Sequence, residues 1–155
     1  MIEITLESER ATVALGGRLS SVVAAGDVVF LVGDLGVGKT TLVREYLRSL
    51  GYTSAVKSPT YTLMEQYVVS GKRIFHLDLY RIADAGELEF VGVRDLLDGE
   101  SILLVEWPER GSAALPSPDL VIELEHAGDA RRCRVLANSE AGDRILAQLR
   151  FQYGC

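Results

Sequence analysis

GDLGVGKT, residues 33–40, decides the fold class of this chain. The stretch matches the pattern G-x-x-x-x-G-K-[ST] at every fixed position. Its glycines let backbone amides curl round a phosphate, Lys39 brings a positive charge to the β- and γ-phosphates, and the Thr40 hydroxyl is a hard oxygen ligand for Mg²⁺. The pattern predicts a loop whose nucleotide-binding residues are Gly33, Asp34, Leu35, Gly36, Val37, Gly38, Lys39, Thr40 and Thr41.

The segments on both sides of the loop have the patterns that this interpretation requires. The unbroken apolar run VVFLV, residues 28–32, is typical of a strand buried on both faces of a parallel sheet. After the loop, apolar residues recur at helical spacing from Leu42 to Leu50, and Gly51 stands where a helix C-cap belongs. The order strand, turn, helix points the positive end of a helix dipole at the bound anion.

The rest of the chain shows further strand and helix patterns. Ser8 is the expected N-cap of a helix that runs through Ala24, and Ser139 is the expected N-cap of a last helix. Asp84 and Glu87 resemble a capping box that opens a short helix, GELEFVGVRDLL. The predicted strands are residues 2–6, a hairpin around Ser70-Gly71, the apolar run SILLVEW, and a second hairpin of LVIELEH and RCRVLA at a sheet edge.

These patterns predict an α/β fold of the P-loop NTPase type. We expect a mixed sheet with helices on both faces and antiparallel strands at the edges. With 155 residues and no repeat or linker, the chain is expected to form a single domain over residues 1–155.

Composition limits the classes of partner. A net charge of −6 argues against a protein that grips DNA or RNA through phosphate neutralisation, since that mode needs a basic face. The start MIEITLESER lacks a basic, apolar leader, and the longest nearby apolar stretch is broken by Gly26-Asp27, so neither a secretory signal nor a membrane span is expected. Cys133 and Cys155 have no metal-ligand spacing and are interpreted as reduced thiols of a cytoplasmic protein.

Two acidic residues follow apolar runs and are candidates for the metal or for orienting water. RIFHLD ends in Asp78, and SILLVE ends in Glu106. The second run is the better central strand, which places Glu106 at the carboxyl edge where ligands gather, with Trp107-Pro108 as a wall of the site. The alternative roles are local: Asp78 could cap the next turn or pair with Arg81, and Glu106 could be a plain strand-end carboxylate.

Other polar residues allow two readings. Thr60, in KSPTYT, could contact the γ-phosphate or its metal as a switch segment does, or could belong to a turn that starts a strand. His76, between Phe75 and Leu77, is interpreted as a packed strand histidine rather than a catalytic base, and His126 as solvent-facing in an edge strand. Arg110, Arg131 and Arg132 could touch phosphate or base, or be solvated surface residues.

The absence of a guanine-reading element favours ATP over GTP. Guanine-specific P-loop proteins usually contain N-K-x-D, and the only asparagine of this chain, Asn138, stands in NSEA. The expected ligands are therefore ATP and Mg²⁺.

Taken in order, GDLGVGKTTLVREYL, VKSPTYTL, FHLDLYR, LEFVGVRDLL and LLVEWPERG resemble the TsaE (YjeE) family of small bacterial ATPases. The resemblance runs from about Glu9 to Arg134. It implies a cytoplasmic protein needed for threonylcarbamoyladenosine in tRNA, with ATP hydrolysis that is weak in isolation and that supports a complex with TsaD-like and TsaB-like partners. It implies indirect contact with tRNA, and no contact with membrane or DNA.

The resemblance also assigns residues. It implies that Thr40 and Glu106 hold Mg²⁺ and that Asp78 and Thr60 have catalytic or switch roles, with Asp78 a further metal candidate and Lys39 acting on the phosphates. It further suggests that the nucleotide is framed by Glu9, Thr12, Glu109 and Arg131.

Two other functions compete with this one. A small-molecule kinase would pass the γ-phosphate to an acceptor, but such kinases usually carry an arginine-bearing lid, whereas the region after Glu106 is rich in strand patterns. A regulatory module would bind nucleotide without turnover. The substitution Glu106→Gln separates this module from an ATPase, because only an ATPase would lose activity.

Overall fold

The computed structural model describes residues 1–84, 86–87, 92–96, 98–111 and 114–155. Within these ranges the chain forms seven strands and three α-helices. In chain order they are β1 (Ile2–Leu6), α1 (Glu9–Val22), β2 (Val28–Val32), α2 (Lys39–Ser49), β3 (Met64–Val69), β4 (Lys72–Asp78), β5 (Ile102–Glu106), β6 (Leu120–Ala127), β7 (Ala130–Ala137) and α3 (Glu140–Tyr153). Two short 3₁₀ turns, Val93–Leu96 and Pro108–Arg110, flank β5.

All seven strands belong to one mixed sheet in the order β1-β7-β6-β2-β5-β4-β3. The four central strands are parallel: β2 pairs with β5 and β6, and β4 pairs with β5. Because parallel strands end at the same edge of a sheet, the loop after β2 meets the last residues of β4 and β5 there. Asp78 and Glu106 are register partners at this edge.

Both outer strands, β1 and β3, pair antiparallel with their neighbours, so the predicted α/β class with antiparallel edge strands is confirmed. The placement of the second hairpin at an edge was wrong. Strands β6 and β7 lie inside the sheet, because β1 pairs along β7 from Ile2 to Leu6 and forms the edge in its place. Both ends of β1 are buried, which shows that this strand is part of the core.

The two faces of the sheet are covered differently. The three α-helices share one hydrophobic cluster with alternate residues of the central strands, such as Ile74, Leu104 and Ile122. On the other face, Phe75, Leu77, Leu103 and Val105 pack against loop residues and the 3₁₀ turn at Val93. Helices therefore lie on both faces, as α-helices on one side and a 3₁₀ turn on the other. Strand alternation places His76, Asp78 and Glu106 on the α-helical face.

Capping residues explain where the helices begin and end. Ser8 and Ser139 cap α1 and α3 as predicted, by accepting hydrogen bonds from the amides of Ala11 and Gly142. Helix α1 ends at Val22, two residues before the predicted end, since the Asp27 carboxylate accepts from the amide of Ala24 and turns the chain. Residues 88–91 and 97 of the predicted helix GELEFVGVRDLL lie outside the described residues, and its described end is the 3₁₀ turn Val93–Leu96.

Candidate active site

The glycine loop joins β2 to α2 through backbone conformations that suit glycine. Gly38 is the N-cap of α2 and has a φ of 113°, in the left-handed region. A Cβ on Gly33 would lie 2.4 Å from the carbonyl oxygen of Leu124, so only glycine fits between the loop and β6. Among the described residues no side chain caps the first turn of α2, which leaves the first amides of the helix available to an anion.

Lys39, the first residue of α2, is buried inside the loop. Its ammonium group donates to the carbonyl oxygen of Gly33 and lies 3.7 Å from the centre of the Trp107 ring. Burial lowers the pKa of Lys39, and the negative charges of Glu106 and Asp78 act in the opposite direction. The lysine is thus held close to the acids at the end of β4 and β5.

Trp107 shapes this side of the site. It has a φ of 55°, a left-handed conformation that is uncommon for a large side chain, and it turns the chain sharply at the end of β5. Its ring packs against Tyr80, with ring centres 5.0 Å apart, on the side of the site where Lys39 lies. Trp107 therefore forms the wall that the sequence predicted from Trp107-Pro108.

Two hydroxyl groups approach the two strand-end carboxylates. The Thr40 hydroxyl donates to Glu106, 3.0 Å from Oε2 and 3.1 Å from Oε1. The Thr60 hydroxyl donates to Asp78 Oδ2 over 3.2 Å. Both carboxylates are buried, and their strands place them side by side. Residues from four separate segments of the chain are thereby brought together beside the glycine loop.

This group of donors suits Mg²⁺. It consists of oxygen atoms only, from the hydroxyl of Thr40 and the carboxylates of Glu106 and Asp78. In the described part of the chain there is no group of three or more His, Cys, Asp or Glu side chains that could hold a metal. Mg²⁺ commonly binds through one or two carboxylates, substrate phosphates and water, so two carboxylates are enough for it.

Two cavities meet at the glycine loop. One, of about 200 Å³, is lined by Leu35, Gly36, Gly38, Lys39, Thr40, Thr41, Thr60, Asp78, Glu106 and Trp107. The other, of about 250 Å³, is lined by Leu6, Ser8, Glu9, Thr12, Gly36, Val37, Gly38, Thr41, Asp129 and Arg131. They share Gly36, Gly38 and Thr41 in their linings, and together they are called the cleft here: one cavity contains the strand-end acids and the other has a mixed polar lining.

Comparison with known sequences shows the family to which the chain belongs. Residues 6–134 match the model of a family described as threonylcarbamoyl adenosine biosynthesis protein TsaE. The chain belongs to the TsaE family. The matched residues include the glycine loop, Thr60, both strand-end carboxylates and Arg131.

Individual relatives support the same assignment. The tRNA threonylcarbamoyladenosine biosynthesis protein TsaE of Haemophilus influenzae is 48% identical over 120 residues, which cover 77% of this chain and 76% of that protein. The protein of the same name from Aquifex aeolicus is 36% identical over 84% of this chain and 91% of its own length. The crystal structure of Bacillus subtilis YdiB superimposes with a TM-score of 0.84 at 26% identity, covering 98% of this chain and 95% of that one.

The structure places the other predicted residues of this TsaE-family chain in different surroundings. Glu9, Thr12 and Arg131 line the 250 Å³ cavity, and Arg131 Nε donates to the carbonyl oxygen of Val37 over 3.3 Å. Glu109 is exposed in the 3₁₀ turn after Trp107 and lines neither cavity, although its charge acts to raise the pKa of Lys39. Asp34 likewise lines neither cavity.

The other basic candidates, Arg110 and Arg132, line neither cavity. Arg132 and Arg134 form ion pairs with Glu3 and Glu125 across β1, β7 and β6. The guanidinium of Arg110 lies 5.1 Å from the centre of the Tyr80 ring. The reading of Arg132 as a surface residue therefore fits its surroundings.

The sequence did not predict the partner of His76. As expected, this residue is packed inside β4 and is fully buried. Its Nε2, however, lies 2.6 Å from Glu106 Oε2. Alternation along RIFHLD shows that His76 and Asp78 share a face, but only the pairing of β4 with β5 shows that this face also carries Glu106.

No helix among the described residues is both long and apolar enough to cross a membrane.

Proposed function

We propose that this chain, acting as one domain, is a Mg²⁺-dependent ATPase in the biosynthesis of threonylcarbamoyladenosine in tRNA. The family description and the names of the relatives support the pathway. The observation that carries the ATPase assignment is the contact between the Thr40 hydroxyl and the Glu106 carboxylate, directly beside the glycine loop. That contact joins a phosphate-binding turn to an acid at a strand end, as P-loop hydrolysis requires.

Each part of the cleft has a role in this proposal. The loop amides and Lys39 bind the phosphates, and Lys39 exchanges the Gly33 carbonyl for a phosphate oxygen when nucleotide arrives. Thr40, Glu106 and Asp78 would hold Mg²⁺, which when bound neutralises charge that develops on the phosphates. Asp78 and Thr60 orient the attacking water near the γ-phosphate.

The mixed polar cavity is suited to the nucleoside. It lies on the side of the loop away from the acids and offers the polar side chains of Glu9, Thr12 and Arg131. No N-K-x-D element is present in the sequence, and we propose ATP as the nucleotide.

Hydrolysis would serve a cycle with TsaD-like and TsaB-like partners in the cytoplasm, and tRNA would be contacted only through them. An acidic chain is poorly suited to bind RNA directly. Two exposed hydrophobic side chains beside the cleft, Leu35 in the loop and Tyr61 next to Thr60, offer apolar surface that a protein partner could cover.

A pair of lysine variants tests nucleotide binding and turnover. Lys39→Ala should abolish ATP binding in calorimetry and phosphate release in a turnover assay, because the loop loses its buried cation. Lys72→Ala, at the far hairpin turn between β3 and β4, is the matched control and should behave as the unaltered protein. If Lys39→Ala retains both binding and hydrolysis, the loop is not the nucleotide site.

Depletion of the protein in its native cell tests the pathway. Threonylcarbamoyladenosine in total tRNA, measured by mass spectrometry, should fall and should be restored by the unaltered gene but not by the Glu106→Gln variant. An unchanged level after depletion would contradict the pathway assignment, and full rescue by Glu106→Gln would contradict the need for hydrolysis.

A further inference from the structure

His76 is a buried polar residue that has no role in the proposed binding and hydrolysis of ATP. It lies in the middle of β4 and has no exposed surface. Its Nε2 lies 2.6 Å from Glu106 Oε2, the same oxygen that accepts from Thr40. Its Nδ1 is buried and has no hydrogen-bond partner within the described part of the chain.

This pattern of contacts indicates which ring nitrogen carries the proton. A carboxylate oxygen can only accept, so Nε2 must donate to Glu106. If Nδ1 also carried a hydrogen, a buried N–H donor would be left without a partner, which is rarer and more costly than an unpaired acceptor. The contacts therefore place a hydrogen on Nε2, the ring nitrogen that faces Glu106.

We infer that His76 is a positioning residue for Glu106. Its Nε2–H fixes the Glu106 carboxylate in the orientation that faces Thr40, so that both carboxylate oxygens are in place for the metal. The inference rests on the proposed function, because it concerns the metal ligand of that site. It assigns His76 no contact with nucleotide and no proton transfer.

The position of His76 makes this constraint effective. Its register partner in β5 is Leu104, two residues before Glu106, so the two side chains project from neighbouring strands onto the same face. Outer partners of metal ligands usually contribute about 10- to 100-fold in metal affinity or activity. We expect an effect of that size on the magnesium-dependent part of nucleotide binding.

Two variants separate positioning from packing. Glutamine at this place can present an amide N–H near the position of Nε2, whereas leucine fills a similar volume without a donor. The increase in ADP affinity on adding Mg²⁺, called the magnesium effect below, is measured by titration of ADP with and without Mg²⁺. It should be about 10- to 100-fold smaller for His76→Leu than for the unaltered protein. The effect for His76→Gln should stay within a few-fold of that of the unaltered protein, and affinity for metal-free ADP should be unchanged in both.

Three results would overturn the inference. One is a full magnesium effect in His76→Leu. The second is an equal loss in His76→Leu and His76→Gln, which would mean that the residue only packs. The third comes from nuclear magnetic resonance of ¹⁵N-histidine-labelled protein, which does not depend on the variants folding. It should show a hydrogen on Nε2 of His76, and a ring with no hydrogen on Nε2 contradicts the inference.

The second histidine of the chain provides the control for the spectra. His126 is exposed on β6, and His126→Gln removes its signals so that those of His76 are assigned directly. The proposed function fails in a different experiment. If the glycine loop is not the nucleotide site, Lys39→Ala leaves ADP binding intact, whatever the His76 variants show. If Lys39→Ala abolishes binding but His76→Leu keeps the full magnesium effect, only the role of His76 is wrong.

Discussion

Thr40 contributes one hydroxyl group, and that group connects the glycine loop to the end of β5. It donates to both oxygens of Glu106, a residue 66 positions later in the chain. In the proposed site, the same hydroxyl is a ligand for Mg²⁺. The two roles are compatible, since a hydroxyl oxygen can accept from or coordinate one partner while its hydrogen is donated to another.

The substitution Thr40→Val tests the hydroxyl with little change in shape. We expect metal-free ADP to bind as before, because the backbone amides and Lys39 remain. The increase in affinity on adding Mg²⁺ should fall by at least about tenfold, since one hard oxygen ligand is lost. Thr53→Val, in the exposed loop after α2, is the control in the same calorimetric titration. An undiminished magnesium effect in Thr40→Val would remove this hydroxyl from the metal site.

Helix α2 is held in place mainly by its packing on α1 and on the sheet. Leu42, Val43, Tyr46 and Leu47 are buried in the same cluster as Leu15 and Leu19 of α1. The two helices approach closely at Gly16, where an added Cβ would lie 2.8 Å from the Cβ of Glu45 and 3.0 Å from the backbone nitrogen of Tyr46. Since α2 begins at the glycine loop, this contact also determines where Lys39 and Thr40 lie.

Adjacent glycines of α1 provide a matched pair for this contact. Gly16→Ala should lower the free energy of unfolding by about 1–3 kcal/mol, because its methyl group meets the backbone of α2. Gly17→Ala should be neutral or stabilising by up to about 1 kcal/mol, because its Cβ meets the flexible side-chain oxygen of Ser49 at 3.3 Å and alanine favours helix. Urea unfolding measures both, and equal effects would contradict close packing at Gly16.

The fold of the whole molecule determines which of the two cysteines is accessible. Cys133, in β7, is buried in the main hydrophobic cluster, whereas Cys155 is exposed at the end of the chain. Burial raises the pKa of the Cys133 thiol from 9.0 to about 12. Strand β1 pairs with β7, and α3 packs against β7. Both contacts help to shield this thiol from solvent.

The Cys133 thiol should therefore report the integrity of the fold. An aromatic disulfide reagent should modify one thiol in the native protein and two after denaturation.

The same burial predicts how stability depends on pH. Because the folded-state pKa of the Cys133 thiol lies above the unfolded one, the thiol's contribution to stability is complete below pH 9 and decreases as the pH rises from 9 towards 12. Cys133→Val should remove that part of the pH dependence and Cys155→Ser should not. Rapid modification of two native thiols would contradict this burial.

Much of the fold could be predicted from local patterns. The run VVFLV, the glycine turn and the apolar spacing of residues 42–50 are properties of neighbouring residues, and they correspond to β2, the loop and α2. The hairpin at Ser70-Gly71 was recognised from its turn residues, and both have the positive φ of a tight hairpin turn. The confirmed α/β class and the TsaE family assignment follow from such segments in their order along the chain.

The order of strands and the partners across them could not be read from those patterns. Periodicity shows which face a side chain occupies, but pairing between segments distant in the chain depends on how the whole sheet packs. The sequence alone therefore determined the glycine loop and the two candidate acids. The tertiary structure decided that β1 pairs with β7 and that Asp78 and Glu106 are register partners. It also decided that Thr60 donates to Asp78 and that His76 contacts Glu106. Each of these contacts joins segments that meet only in the folded chain.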